Sequence, residues 1–425
     1  MFLMGRSTIF FPVLMLCSLL SASVFFPMFQ VESTREVRYQ IMESVEADLE
    51  KYSMRVDKRI ELLTAVQLFT SWRKTGLWGL SYPYKEDMLE FFETCSNHEA
   101  VTLCEKLISS GFSYGAPVSF MMCLSDPPEL DVVIPFSEHH VSSAGLTAIL
   151  EEFVEALRSF CLESRFEDFW IGHQDFYANV ERRAYNDIPL ESTVKTLEDY
   201  FGTKQHAYHV ILAPLRLGNY AYWIKVNDSS IIYAFLGPQK IDRGIPVDFG
   251  GALFHEFAHS FVNPLTEEFS QAYKNPWRLY EPIENRMTSM GYGGWGGMID
   301  EHIIRAVEIK VYKKKELTSS LVLSTERYLD YEETSGFIYI KPLFDLLSEY
   351  DRDSYRSFRE FYPEIVELFN AIAVEHDLVV RVANEKGPTP FIETPLGTAI
   401  MYGLIIGVGG AIIMAVLFEM RRKLR

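Results

Sequence analysis

Positive charge is the first thing this sequence is short of: 40 lysines and arginines face 58 aspartates and glutamates, a formal net charge of −18. The ends carry the small cationic excess, net +1 over residues 1–30 and net +3 over 419–425, so the body stands near −22. A surface of that sign repels nucleic acid and anionic lipid headgroups, which excludes both as partners. Cysteine is scarce as well, five in 425 residues, and the five lack the short paired spacing of a thiolate zinc site. Cys17 follows Leu16 rather than a small residue, against a lipoprotein signal, and no Leu-Pro-x-Thr-Gly sorting motif occurs. Internal repeats and low-complexity stretches are missing too. With 48% apolar residues, what remains is a chain able to bury a large core.

Long uncharged runs mark both ends. Arg6 precedes an apolar stretch from Ile9 to Phe29, so residues 1–29 read as a signal peptide or N-terminal anchor. Leu396 to Phe418 is 23 residues without a charge, long enough at ~1.5 Å per residue to span a bilayer. Arg421, Arg422, Lys423 and Arg425 follow, which sets the C-terminus as cytoplasmic and the body as extracytoplasmic. The expectation is a single-pass protein of the cell membrane, two-pass if the first segment is uncleaved. Ala399, Gly403, Gly407, Ala411 and Ala415 recur every four residues, a stripe that would suit a homodimer seam. Export would make Cys95, Cys104, Cys123 and Cys161 candidates for two disulfides, with three possible connectivities. Buried free thiols are the alternative.

The chemistry sits in His255-Glu256-Phe257-Ala258-His259. Residues four apart on a helix share a face. Two imidazoles there can hold one zinc ion, and Glu256 between them is placed to take a proton from water at the metal. Asp248 would cap this helix near Phe249, and Asn263-Pro264 would end it. Leu253, Phe254, Phe257, Ala258, Phe261 and Val262 form an apolar stripe on another face. The competing reading is an amphipathic core helix whose histidines only satisfy hydrogen bonds.

A catalytic zinc site needs a third protein ligand and an open fourth position. Six residues past His259 stands Leu265, so a metzincin arrangement is excluded. Downstream, glycines 291, 293, 294, 296 and 297 lead into a second helical pattern, with Ile299, Ile303, Ala306 and Val307 on one face. Glu301 is the leading third ligand, followed by Asp300, which could instead cap the helix, and by Glu308. His302 could bind in another register.

These residues carry a resemblance. The run His255 to Pro264, followed by Glu301-His302-Ile303-Ile304-Arg305-Ala306, resembles an uncharacterised family of zincin-like metallopeptidases known as a domain of unknown function (DUF4932). Residues 60–63, 98–101, 112–118 and 215–220 add weaker similarities. The resemblance implies one Zn2+ per chain at His255, His259 and Glu301, with Glu256 as general base. Many glutamate-zincins carry Asp four residues after the ligand Glu, to orient a ligand histidine. Here that position is Arg305, so the histidines' supporting partner is not identified.

The organisation that follows is an α+β fold. It comprises a helical N-terminal region (30–200), a zincin-like core with a small sheet (201–315), a helical region (316–385), a stalk (386–395), the transmembrane helix (396–418) and a basic tail (419–425). Strands are expected at His209–Leu215, Ala221–Val226 and Ile231–Leu236. In zincins an edge strand above the metal pairs with extended peptide. The expected activity is hydrolysis of peptide bonds, with Tyr280, Tyr292, His209 and Arg305 as oxyanion donors by residue type only. The rivals are a surface-organising protein with a structural or absent metal, and a zinc hydrolase of another amide or ester.

Overall fold

The computed structural model describes residues 50–385 except 78, 80, 227, 228, 316–324 and 351–353. Strand β2 (Ala207–Leu212) is buried at all six positions, as a strand covered on both faces must be. It pairs in parallel with β1 (Tyr52–Val56) on one side and with β4 (Ser229–Leu236) on the other. β3 (Tyr220–Val226) runs antiparallel beside β4 and forms the sheet's outer edge, in the order β1-β2-β4-β3. Met54 lies opposite Val210, Val210 opposite Ala234, and Ala234 opposite Ala221. A ribbon of β5 (Lys240–Asp242) and β6 (Ile245–Val247) follows.

Helices fill the rest. Before β2 come α1 (Lys58–Gln67), α2 (Pro83–Phe92), α3 (Glu99–Ser110), α4 (Gly115–Met121) and α5 (Glu138–Ala144), then α6 (Thr147–Glu163), α7 (Phe166–Gly172), α8 (Gln174–Asp187) and α9 (Leu190–Phe201). After β6 come α10 (Leu253–Glu268), α11 (Trp277–Tyr280), α12 (Glu284–Ser289), α13 (Trp295–Lys315), α14 (Thr325–Ser335), α15 (Ile340–Leu346) and α16 (Phe358–Glu385). β1 comes from the stretch read as helical, so the sheet draws on both sides of the expected division near residue 200. The strand is five residues long, too short for its alternation to stand out against helical neighbours.

The junction of β1 and α1 is fixed by charge. Asp57 accepts from the Arg59 backbone N–H as the α1 cap. Its carboxylate also takes a fork from the same residue, Nε to Oδ1 at 2.9 Å and Nη2 to Oδ2 at 2.8 Å. Burial disfavours the charge, but the Arg59 guanidinium outweighs it and holds the Asp57 carboxyl down at about 2. Asp57→Ala should therefore cost about 1–3 kcal/mol in urea unfolding, because it removes a cap and the main partner of a guanidinium that keeps only the Leu124 carbonyl and the more distant Asp126. A loss below about 1 kcal/mol would mean that Arg59 finds another partner. The depressed pKa makes the Asp57 contribution complete above pH 3.8 and lost as pH falls through about 2.

Several expectations are corrected. No helix among the described residues is long and apolar enough to cross a membrane. The longest, α16, carries Glu360, Glu364 and Glu367 within its 28 residues. Against expectation, the C-terminal transmembrane helix of the expected fold class and the single-pass membrane placement built on it find no support among the described residues. The described fold is mixed helical with two small sheets. Residues 1–29, the segment 396–418 with Ala399, Gly403, Gly407, Ala411 and Ala415, the stalk and the tail lie outside the described residues.

Cys95, Cys104, Cys123 and Cys161 are free thiols, not two disulfides. Cys123 Sγ lies 3.6 Å from both the Ser119 carbonyl oxygen and the Tyr222 hydroxyl. Burial pushes its pKa up to about 11, and that of Cys104 to about 12, so these are inert core groups. The helix boundaries also move. Pro264, expected to end its helix, lies inside α10. Beyond Pro264, Leu265 and Thr266 are buried, and that packing outweighs the one backbone bond proline removes.

Candidate metal centre

Helix α10 is positioned by the stripe the sequence displays: Leu253, Phe254, Phe257, Ala258, Phe261 and Val262 are all buried. It packs against β3, β4, α9 and α13. Asp248 does not cap it. That residue has φ +64°, and a 3-10 turn at Gly250–Ala252 leads into the helix instead. His255 and His259 then stand one turn apart, with ring centroids 5.0 Å from each other.

Helix α13 crosses α10 with Ile299, Ile303, Ala306 and Val307 fully buried. This delivers Glu301 between the two imidazoles. His255 Nε2 is 3.5 Å from one Glu301 oxygen and His259 Nε2 is 3.3 Å from the other. One ligating atom from each of the three residues falls within 4.8 Å of the others. The far ring nitrogens are held from behind. His255 Nδ1 faces Glu308 Oε2 at 3.5 Å, and His259 Nδ1 faces Asn263 Oδ1 at 3.1 Å. Acceptors at Nδ1 fix the tautomer that leaves each Nε2 lone pair pointing inward. Glu301 Oε2 is buried without a hydrogen-bond partner. Two imidazole nitrogens and a carboxylate oxygen without a hydrogen bond fit a borderline-soft divalent cation such as zinc.

Glu301 has its own support. Arg305 Nε lies 3.3 Å from Glu301 Oε2, while Nη1 reaches Glu332 at 3.2 Å. The guanidinium sits 4.1 Å over the Phe337 ring, and Nη2 is 3.4 Å from the Tyr292 hydroxyl. The position where Asp was wanted thus steadies the ligand carboxylate rather than a histidine. Glu308, one turn further along α13, takes the histidine.

Burial opposes every charge here, yet the groups compensate one another. Desolvation would raise Glu301, but His255 and His259 hold it well below the carboxylate range. Desolvation would lower His255, but Glu301 raises it well above an ordinary imidazole. A divalent cation supplies the same compensation while requiring neutral imidazoles. Glu256, 7% exposed, lies in the first turn of α10. Burial raises its pKa, and the two histidines only partly offset this.

The other candidates fall elsewhere. Asp300 lies well inside α13, so it caps nothing. Thr266 Oγ1 donates to its Oδ1 at 2.5 Å, and burial lifts its carboxyl to about 7. His302 is fully buried, bonded through Nδ1 to the Met298 carbonyl at 2.7 Å and packed against Phe337 and Tyr339. His209 hydrogen-bonds Ser53 across the sheet at 2.5 Å. The Tyr280 hydroxyl meets Thr288 and the Tyr292 carbonyl. Of the four named donors only Arg305 and Tyr292 border the ligands.

Two polar residues of the weaker family-like stretches lie in the core. Arg216, 1% exposed, donates to Gln67 Oε1 at 2.6 Å. Glu61, fully buried, accepts from the Tyr84 hydroxyl. Gly237 tolerates no side chain, since a Cβ there would stand 2.4 Å from the Arg216 carbonyl oxygen.

A match to one protein family runs from residue 52 to residue 368. The chain belongs to the family described as Domain of unknown function (DUF4932). No curated protein and no solved structure matches it. The DUF4932 region opens at the first residue of β1 and closes within α16, so it takes in the whole sheet and both helices of the metal centre. Sequence reasoning had Glu308 only as a remote ligand and Asn263 as a helix stop. Spacing held the clue, because Glu308 lies seven residues past Glu301 and Asn263 four past His259, each on its ligand's face. Glu308→Gln should weaken zinc binding about 10–100-fold in a chelator competition, the usual cost of losing a ligand's hydrogen-bond partner. An unchanged affinity would leave the His255 orientation to packing alone.

Proposed function

We propose that this chain is a zinc-dependent metallopeptidase in which His255, His259 and Glu301 hold one zinc ion and Glu256 is the general base. The observation carrying this reading is the convergence of the two Nε2 atoms and the Glu301 carboxylate, from two helices, beside a buried Glu256. Bound there, zinc would polarise a carbonyl and lower the pKa of water. The raised pKa of Glu256 brings its carboxylate nearer to neutral pH, where proton acceptance and return are both efficient. Its oxygen takes the proton from the attacking water and passes it to the leaving amine.

Edge strand β3 lies against α10, and its outer row of N–H and C=O groups is suited to pairing with an extended peptide. This favours a peptide over a compact ester. Among the described residues only His255, His259 and Glu301 bring ligating atoms together, and three protein ligands is the number of a catalytic rather than a structural zinc site.

The test is metal analysis and peptide-library cleavage with the full chain, before and after chelation. One zinc per chain, with cleavage lost on chelation and restored by zinc, is the expected result. Well-folded protein that takes up no zinc, or cleavage indifferent to chelator, would remove the basis of the reading.

A further inference from the structure

Beside the metal centre the same two helices flank an open hollow of about 230 Å³. Its walls include Asn263, Thr266 and Glu267 from α10, and Trp295, Gly296 and Asp300 from α13. Drug-sized ligands occupy roughly 300–1,000 Å³, so this space suits one long side chain. It adjoins the metal centre directly, because Asn263 both lines it and holds His259 Nδ1 at 3.1 Å. One helical turn, about 5.4 Å, separates the two, a step of one or two residues along an extended peptide at about 3.3 Å each.

The lining has one electrical sign. Asp300 is 8% exposed, and Thr266 donates to its Oδ1. Its second oxygen meets no donor among the described residues. Glu267 adds a second carboxylate at the exposed rim, and no lysine, arginine or histidine lines the space. That oxygen is not among the fully buried atoms that lack a hydrogen bond, so it is open to the hollow, where a donor or cation can meet it. Trp295, half-buried and packed 5.4 Å from Tyr273, puts an indole beside that carboxylate. A planar guanidinium can bond the carboxylate and stack on the indole at once, which an ammonium does less well.

We propose that this hollow is a specificity pocket for a cationic substrate side chain, arginine before lysine, with Asp300 as counter-ion and Trp295 as wall. The substrate role rests on the peptidase reading, whereas the cation site itself does not.

The probe is agmatine, a guanidinium on a short alkyl chain without a carboxylate, compared with its neutral analogue n-butylurea. Calorimetry on the zinc-loaded full chain should show agmatine binding and n-butylurea not. Asp300→Asn keeps the acceptor for Thr266 and should weaken agmatine at least about tenfold while zinc content stays the same. Gly296→Leu adds bulk where a Cβ would meet no atom within 4 Å, and should obstruct the same probe without touching the carboxylate. No agmatine binding to the parent, or equal binding to Asp300→Asn, overturns the proposal. Library cleavage then separates the two readings. Cleavage next to arginine, lost in Asp300→Asn, supports both. Agmatine binding that depends on Asp300, without any cleavage, keeps the cation site and removes the peptidase. Cleavage indifferent to basic residues removes the pocket's substrate role alone.

Discussion

Glu256→Gln should keep one zinc per chain and lower peptide hydrolysis by at least about 10³-fold, within the ~10²–10⁴-fold that a positioned acid–base group contributes. The amide matches the carboxylate in shape, so the buried first turn of α10 need not move. It differs in that an amide cannot accept the proton of the attacking water. Burial raises the Glu256 pKa, so the neutral amide also resembles the protonated form, and no buried counter-charge is stranded. Activity within about tenfold of the parent would assign the base to another residue. Zinc lost together with activity would make Glu256 part of the cage rather than of the chemistry.

Glu301→Gln should act in the opposite sense, weakening zinc by more than about 100-fold, beyond the range seen when only a ligand's partner is removed. The carboxylate is the one anionic ligand, and both Nε2 atoms converge on it. Its loss therefore removes charge as well as a donor. The fold should survive, because Arg305 retains Glu332 at 3.2 Å and the Phe337 ring. Chelator competition on Glu301→Gln and Glu308→Gln side by side gives a ranking. If Glu308→Gln were the more damaging of the two, the ligand and its supporter would have to be exchanged.

The clustering of the candidate ligands was largely legible because their spacing is local. His255, Glu256 and His259 lie within five residues on one helix, and Glu301 declares itself by the apolar period of Ile299, Ile303, Ala306 and Val307. Contacts that a period cannot encode stayed hidden. Arg305 was read as a missing aspartate, yet it grips Glu301, because only the crossing of α10 and α13 decides which side chain meets which. The fold shows the same division. Strands β2, β3 and β4 were visible as apolar runs, with ends shifted by up to three residues. β1 escaped because it is five residues long and its partner lies some 150 residues away. Pro264 misled, since the burial of Leu265 beyond it is settled by tertiary packing.

His259 and Glu301 lie 42 positions apart on helices separated by the short helices and turns of residues 269–294, and an ion held by both would act as a rivet across that loop. Free zinc then enters the thermodynamics of folding by mass action. Each tenfold rise in free zinc above the dissociation constant adds about 1.4 kcal/mol to the folded state. With zinc bound as proposed, the melting temperature of the chain would become a gauge of metal supply, and a compartment poor in zinc would hold it as a looser, more protease-sensitive protein before any question of catalysis arises.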